Sequence, residues 1–190
     1  MKLRATRVRY IGLGLLIGSP HGQPHSKELH VTNDILDLAT KVGRALEAKR
    51  LVLATAESCT GGGVSQAITE IPGSTGWFDC GFVTYSNNSK TELLDVPAAL
   101  IAQFGSVSEE VAGKMAEGAL SNSTADVAVS TTGIAGPTGA VPGKPVGTVC
   151  FGWSRGDTTY TERLVFQGDR KAVREQTVTH ALQGLLRFIE

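Results

Sequence analysis

A short apolar run, Leu51 to Ala56, runs straight into the string ESCTGGG (Glu57 to Gly63), and a helix-like pattern, Val64 to Ile71, resumes at once. A β-prone stretch of that length without polar alternation suits a strand buried on both faces. Such strands belong to parallel or mixed sheets covered by helices, so this one junction restricts the chain to the α/β class. Two more junctions of the same kind follow. Cys80 to Ser86 reads as a strand leaving into YSNNSK, and Asp126 to Thr132 as a strand leaving into TTGIAGP.

Between them the chain alternates. Asn33 is placed to cap a helix carrying Ile35, Leu38, Ala39, Val42 and Leu46 at helical spacing. NSKTELLDV predicts a short helix that stops before Pro97. Ser108 is placed to cap the next, with Val111, Met115 and Leu120 inward. VGTVCFGW and TYTERLVF flank the turn Arg155-Gly156-Asp157 and predict an antiparallel hairpin. A last helix starts near Asp169 and buries Val173, Val178, Ala181, Leu182, Leu185 and Ile189. The expectation is a mixed, mostly parallel sheet with helices on both faces. Ligands of such sheets sit beyond the carboxyl ends of the strands, where the three polar loops converge.

The bulk numbers exclude several classes. At 190 residues, one domain is expected, over 31–190, preceded by an N-terminal extension over 1–30. The extension is basic, then apolar, then turn-rich. It imitates a signal peptide, yet its apolar run is short and no small-x-small cleavage site follows. It is too short to span a membrane. A formal net charge of +0 argues against a broad nucleic-acid surface but not against a local anion pocket. Cys59, Cys80 and Cys150 are odd in number and lack paired-ligand spacing, so reduced thiols in a cytoplasm are expected. His21, His25 and His30 lie in the extension and His180 stands alone, so no metal site is expected. No cofactor is expected either, and self-association is left open.

Within ESCTGGG the glycines admit close backbone approach, and helix N-terminal N–H groups favour negative charge. No Lys-Ser/Thr follows the glycines, so this is not a Walker P-loop. The geometry suits a nucleophile facing an oxyanion hole. Ser58 and Cys59 are the candidates. Thr60 is a third, or a helix cap, and the whole string also serves as a plain strand-to-helix turn. A serine needs a base, and Lys90 offers one. An ordinary lysine with a pKa of roughly 10.4 costs about 4 to 5 kcal/mol to neutralise near pH 7. Burial lowers that cost enough to make a lysine base workable. Tyr85 is placed to relay the proton or hold the lysine. In the long third loop, Thr131, Thr132, Gly133 and Gly136 offer hydroxyls and N–H groups to a phosphate or carboxamide. Lys144 adds a charge, and Arg170, following the cap Asp169, offers a bidentate fork to an anion.

Taken in order, AESCTGG, GFVTYSN with Lys90 after it, TGIAGP, KPVGTV, and GDR with Val173-Arg174 resemble the CinA C-terminal domain family from about Asn33 to Ile189. The resemblance implies a three-layer α/β/α sandwich in the cytoplasm. It implies hydrolysis of the carboxamide of nicotinamide mononucleotide to nicotinate mononucleotide and ammonia, in pyridine-nucleotide recycling. It implies Ser58 as nucleophile, Lys90 as base and Tyr85 nearby, with Cys59 a bystander. The substrate-binding set expected around them is Glu57, Thr60, Gly61, Gly62, Thr132, Gly133, Gly136, Lys144 and Arg170. The larger pyrophosphatase-like domain of full-length members has no counterpart in this sequence, which favours the stand-alone amidohydrolase branch. A non-catalytic nucleotide-binding or interaction module, and a hydrolase of another amide or ester, are the alternatives.

Overall fold

The computed structural model describes residues 33–190. The extension, its three histidines and the side chain of Asn33 lie outside the described residues. The elements run α1 (Asn33–Lys49), β1 (Leu53–Glu57), α2 (Gly63–Thr69), a 3₁₀ turn (Ser74–Gly76), β2 (Phe78–Val83), α3 (Asn87–Leu94), α4 (Ala98–Phe104), α5 (Glu109–Ser121), β3 (Val127–Gly133), β4 (Thr148–Arg155), β5 (Thr158–Val165) and α6 (Arg170–Ile189).

The five strands form one sheet in the order β2-β1-β3-β4-β5. β1 pairs parallel with β2 and β3, while the β3–β4 and β4–β5 pairings are antiparallel. The sheet is therefore mixed: the pairings divide evenly, although only β4 opposes the direction of the other strands. β1 has all five residues buried, as its continuous apolar run requires. β5 alternates between more and less exposed positions because it lies at the sheet edge.

Helices cover both faces. One core layer joins Val42 and Leu46 of α1, Ile68 of α2 and Leu182 and Leu185 of α6 to Leu53, Val129 and Phe151 of the sheet. The other joins Leu94, Ile101, Val111 and Met115 to Ala54, Ala56 and Ala128. Trp153 is fully buried in the first layer, and its indole N–H donates to the Ala181 carbonyl at 3.0 Å. α6 passes over it at Gly184, where any Cβ would stand 2.1 Å from the indole ring. Side-chain caps set the starts of α5 and α6: Ser108 accepts from the Val111 amide at 3.3 Å and Asp169 from the Ala172 amide at 2.8 Å.

From β1 the chain crosses to β2 on one side and later returns to β3 on the other. The C-terminal end of β1 is thus a switch point in the strand order, flanked by the ends of β2 and β3. All three polar loops leave the sheet there. No described helix is long and apolar enough to cross a membrane.

Candidate active site

The turn after β1 is organised by Glu57. Its buried carboxylate accepts from the amides of Gly62 (3.0 Å), Val64 (3.0 Å) and Ser65 (2.8 Å), and from the Ser65 hydroxyl (2.7 Å). Those amides open α2, whose N-cap, Gly62, has no side chain to satisfy them. Glu57, expected to touch substrate, instead caps the helix from the preceding strand. Gly61 (φ +59°) and Gly62 (φ +95°) occupy the left-handed region that lets the chain turn back into α2. Neither lines the pocket; both shape it.

This turn presents Ser58. Its amide donates to the Thr131 carbonyl at 2.9 Å, which fixes it to the neighbouring strand β3. The Lys90 amine stands 3.0 Å from the Ser58 hydroxyl oxygen and donates to the Thr84 carbonyl at 2.7 Å. Lys90 is 1% exposed and has no carboxylate partner among the described residues. Burial lowers its pKa to about 8, opposed by the neighbouring Cys59. At that value, neutralising the amine at pH 7 costs about 1 kcal/mol rather than nearly 5. Lys90 owes its position to α3, which Ser86 starts by accepting from the Ser89 amide at 3.0 Å. That cap also ends β2 at Val83, earlier than the expected strand end at Ser86.

The other candidate nucleophiles are disposed of locally. Burial pushes the Cys59 thiol up to about 12, with its own backbone hydrogen bond opposing and Glu57 adding to the rise. The Thr60 hydroxyl is fully buried, 2.7 Å from the hydroxyl of Thr131, and the helix cap falls at Gly62 instead.

A cavity of about 150 Å³ opens beside Ser58 and Lys90. Of the residues singled out in the sequence, Thr132, Gly133, Tyr85 and Arg170 line it, together with Ser106, Val107 and Ala135. Ser106 and Val107 belong to the α4–α5 link, which carries no chemical signature in the sequence. The Thr132 hydroxyl donates to the Ser106 carbonyl at 2.7 Å and so pins that link to β3. Tyr85 is 64% exposed and accepts from Arg170 at 3.2 Å; it makes no hydrogen bond to Lys90 or Ser58. The relay expected of it is therefore absent from the geometry, because the lysine reaches the serine directly. Arg170 also donates to the Gly136 carbonyl at 2.9 Å, and both its partners are neutral. Gly136 thus takes part as an anchor for Arg170. Lys144 donates to the Phe104 carbonyl at 2.7 Å, clamping the end of α4 outside the pocket. Among the described residues no group of three His, Cys, Asp or Glu stands ready for a metal ion.

The arrangement sets a serine hydroxyl within hydrogen-bonding reach of a buried lysine beside a small polar pocket that Arg170 also lines. The family model for the CinA C-terminal domain matches residues 35–189. The chain belongs to the CinA C-terminal domain family. It is 52% identical over 154 residues to the nicotinamide-nucleotide amidohydrolase PncC of Pseudomonas putida, covering 81% of this chain and 96% of that protein. The PncC of Escherichia coli is 50% identical over 155 residues, covering 80% of this chain and 93% of the relative. The crystal structure of the competence/damage-inducible protein CihA from Agrobacterium tumefaciens superposes with a TM-score of 0.81 at 38% identity, over 84% of this chain and 98% of that one. The CinA fold thus accounts for the three-layer architecture around the pocket.

Proposed function

We propose that this chain is an amidohydrolase that converts nicotinamide mononucleotide to nicotinate mononucleotide and ammonia, with Ser58 as nucleophile and Lys90 as general base. The substrate class rests on the relatives that carry this activity in their names at about half identity. The chemistry rests on one observation: a buried amine 3.0 Å from a serine oxygen, without a carboxylate to keep it charged.

Neutral Lys90 takes the Ser58 proton as the oxygen attacks the carboxamide carbon. The negative charge moves to the carbonyl oxygen. In the nucleophile turn the amides of Ser58, Gly61, Gly62 and Gly63 already donate within the protein, to Thr131, Ser58, Glu57 and Thr60. The Cys59 and Thr60 amides donate to no other residue among the described residues, and they are the donors for the oxyanion. As the C–N bond breaks, Lys90 passes its proton to the departing nitrogen, which leaves as ammonia. Water then attacks the acyl-enzyme, again losing a proton to Lys90, and Ser58 recovers its hydrogen as the carboxylate departs. Arg170, whose protein partners are both uncharged, takes the phosphate, with Tyr85 beside it. A cytoplasmic setting goes with this reading, since all three thiols are free.

Ammonia release from nicotinamide mononucleotide tests it. Ser58→Ala and Lys90→Ala should each lose at least the hundredfold or more typical of removing one oxyanion donor. A folded Ser58→Ala protein with unreduced turnover defeats the mechanism.

A further inference from the structure

We infer that Arg174 is a positioning residue for the nucleophile turn: from α6 it grips the carbonyls of Cys59 and Thr60 and so aims the oxyanion-binding amides at the pocket. This rests on the serine-hydrolase reading above. Sequence reasoning gave Arg174 no role, and it does not line the cavity. Its Nε donates to the Cys59 carbonyl at 3.2 Å and its terminal nitrogen to the Thr60 carbonyl at 2.6 Å.

A peptide unit is planar and trans, so its N–H points away from its C=O. The unit whose carbonyl is Cys59 carries the Thr60 amide. Holding that carbonyl from the α6 side directs the Thr60 N–H the opposite way. The next unit, whose carbonyl is Thr60, carries the Gly61 amide, and this donates to the Ser58 carbonyl at 3.1 Å. The Ser58 carbonyl in turn belongs to the unit that carries the Cys59 amide. Arg174 therefore fixes two successive planes directly and a third through Gly61. Charge adds to geometry, because a guanidinium on a carbonyl polarises the peptide and strengthens its N–H as a donor. Glu57 fixes the far half of the turn through the amides of Gly62, Val64 and Ser65. The two side chains hold the turn from opposite polarities and leave only the Cys59 and Thr60 donors for the reaction.

Lysine cannot copy this contact. It offers a compact charge where arginine offers a planar fork able to serve two carbonyls at once. Arg170 and Arg174 stand one helical turn apart on the same side of α6. The first reaches the rim and the second the floor behind the nucleophile, so they should fail differently.

The test compares Arg174→Ala, Arg174→Lys and the unaltered chain in kcat and KM for ammonia release, with thermal unfolding measured alongside. Arg174→Ala should lower kcat about ten- to a hundredfold, short of losing an oxyanion donor outright. KM should stay within about twofold, and Arg174→Lys should fall between, since a merely docked helix is served by either cation. The acid limb of the pH–rate profile should stay where Lys90 sets it. The rate at which a fluorophosphonate labels Ser58 should drop in parallel with kcat, because the phosphonyl oxygen needs the same amides. Arg174→Lys keeps the charge and the helix contact, so it decides the matter even if the alanine variant does not fold. Unchanged kcat in a folded Arg174→Lys or Arg174→Ala protein overturns the assignment, as does a loss confined to KM or a displaced acid limb. An unaltered chain that is labelled by the fluorophosphonate yet inert toward the mononucleotide overturns the substrate reading while leaving Arg174 to be judged on the labelling rates.

Discussion

Replacing Lys90 with methionine should abolish activity and change how stability depends on pH. The side chains are similar in length, but methionine carries no proton to lose. In the folded protein the lysine pKa is lowered to about 8 by burial, from its ordinary value of 10.5. Between those values the unfolded chain binds more protons than the folded one, so stability rises with pH across that window. Below pH 8 the full penalty applies, about 3 kcal/mol. Methionine removes it, but it leaves the Thr84 carbonyl without the 2.7 Å bond it accepts from Lys90, a loss of about 1 to 3 kcal/mol. At pH 7 Lys90→Met should therefore equal or exceed the parent in stability by up to about 2 kcal/mol. The lost bond is the same at every pH, so the pH trend isolates the titration. Between pH 7 and pH 9.5 the parent should gain about 2 kcal/mol on the variant. Urea unfolding of both proteins at half-unit steps measures this. A stability difference that stays flat over the interval would show that Lys90 titrates as an ordinary lysine, and the account of its reactivity would go with it.

Activity should follow the same group: kcat/KM ought to climb about tenfold per pH unit below pH 8 and level off above it, and a limb near the ordinary lysine value would contradict the burial argument. Arg170→Ala should raise KM for the mononucleotide by about tenfold or more while leaving its dephosphorylated riboside little affected, which steady-state assays on the two substrates compare directly. Glu57→Gln should destabilise the fold by about 1.5 to 3 kcal/mol, because one amide oxygen cannot serve the donors that two carboxylate oxygens now accept, and thermal melts will register it.

Which parts of this were legible in the sequence follows from which signals are local. β1 and α6 were readable because burial writes itself directly into an unbroken apolar run and a helical stripe. The Ser58–Lys90 pair was readable as two strand-end loops that a parallel sheet brings side by side, with the family strings fixing which residues matter. α4 escaped notice because seven residues with one buried side chain, Ile101, make no periodicity. The roles of Glu57, Thr60 and Lys144 were misjudged for a different reason. A polar residue in a functional loop looks the same in sequence whether it faces a ligand or another protein group, and here backbone groups claimed Glu57 and Lys144 while the Thr131 hydroxyl claimed Thr60. Ser106 and Val107 reach the pocket only because the Thr132 hydroxyl ties their loop down, a contact between residues 26 positions apart.

The reversed direction of β4 has a practical corollary. Because that strand opposes β3, the bend at Arg155-Gly156-Asp157 falls at the pole of the sheet farthest from the serine. A fluorophore, affinity handle or inserted peptide grafted onto that bend would travel with the molecule while leaving catalysis undisturbed, which makes it the natural anchor for immobilising the protein.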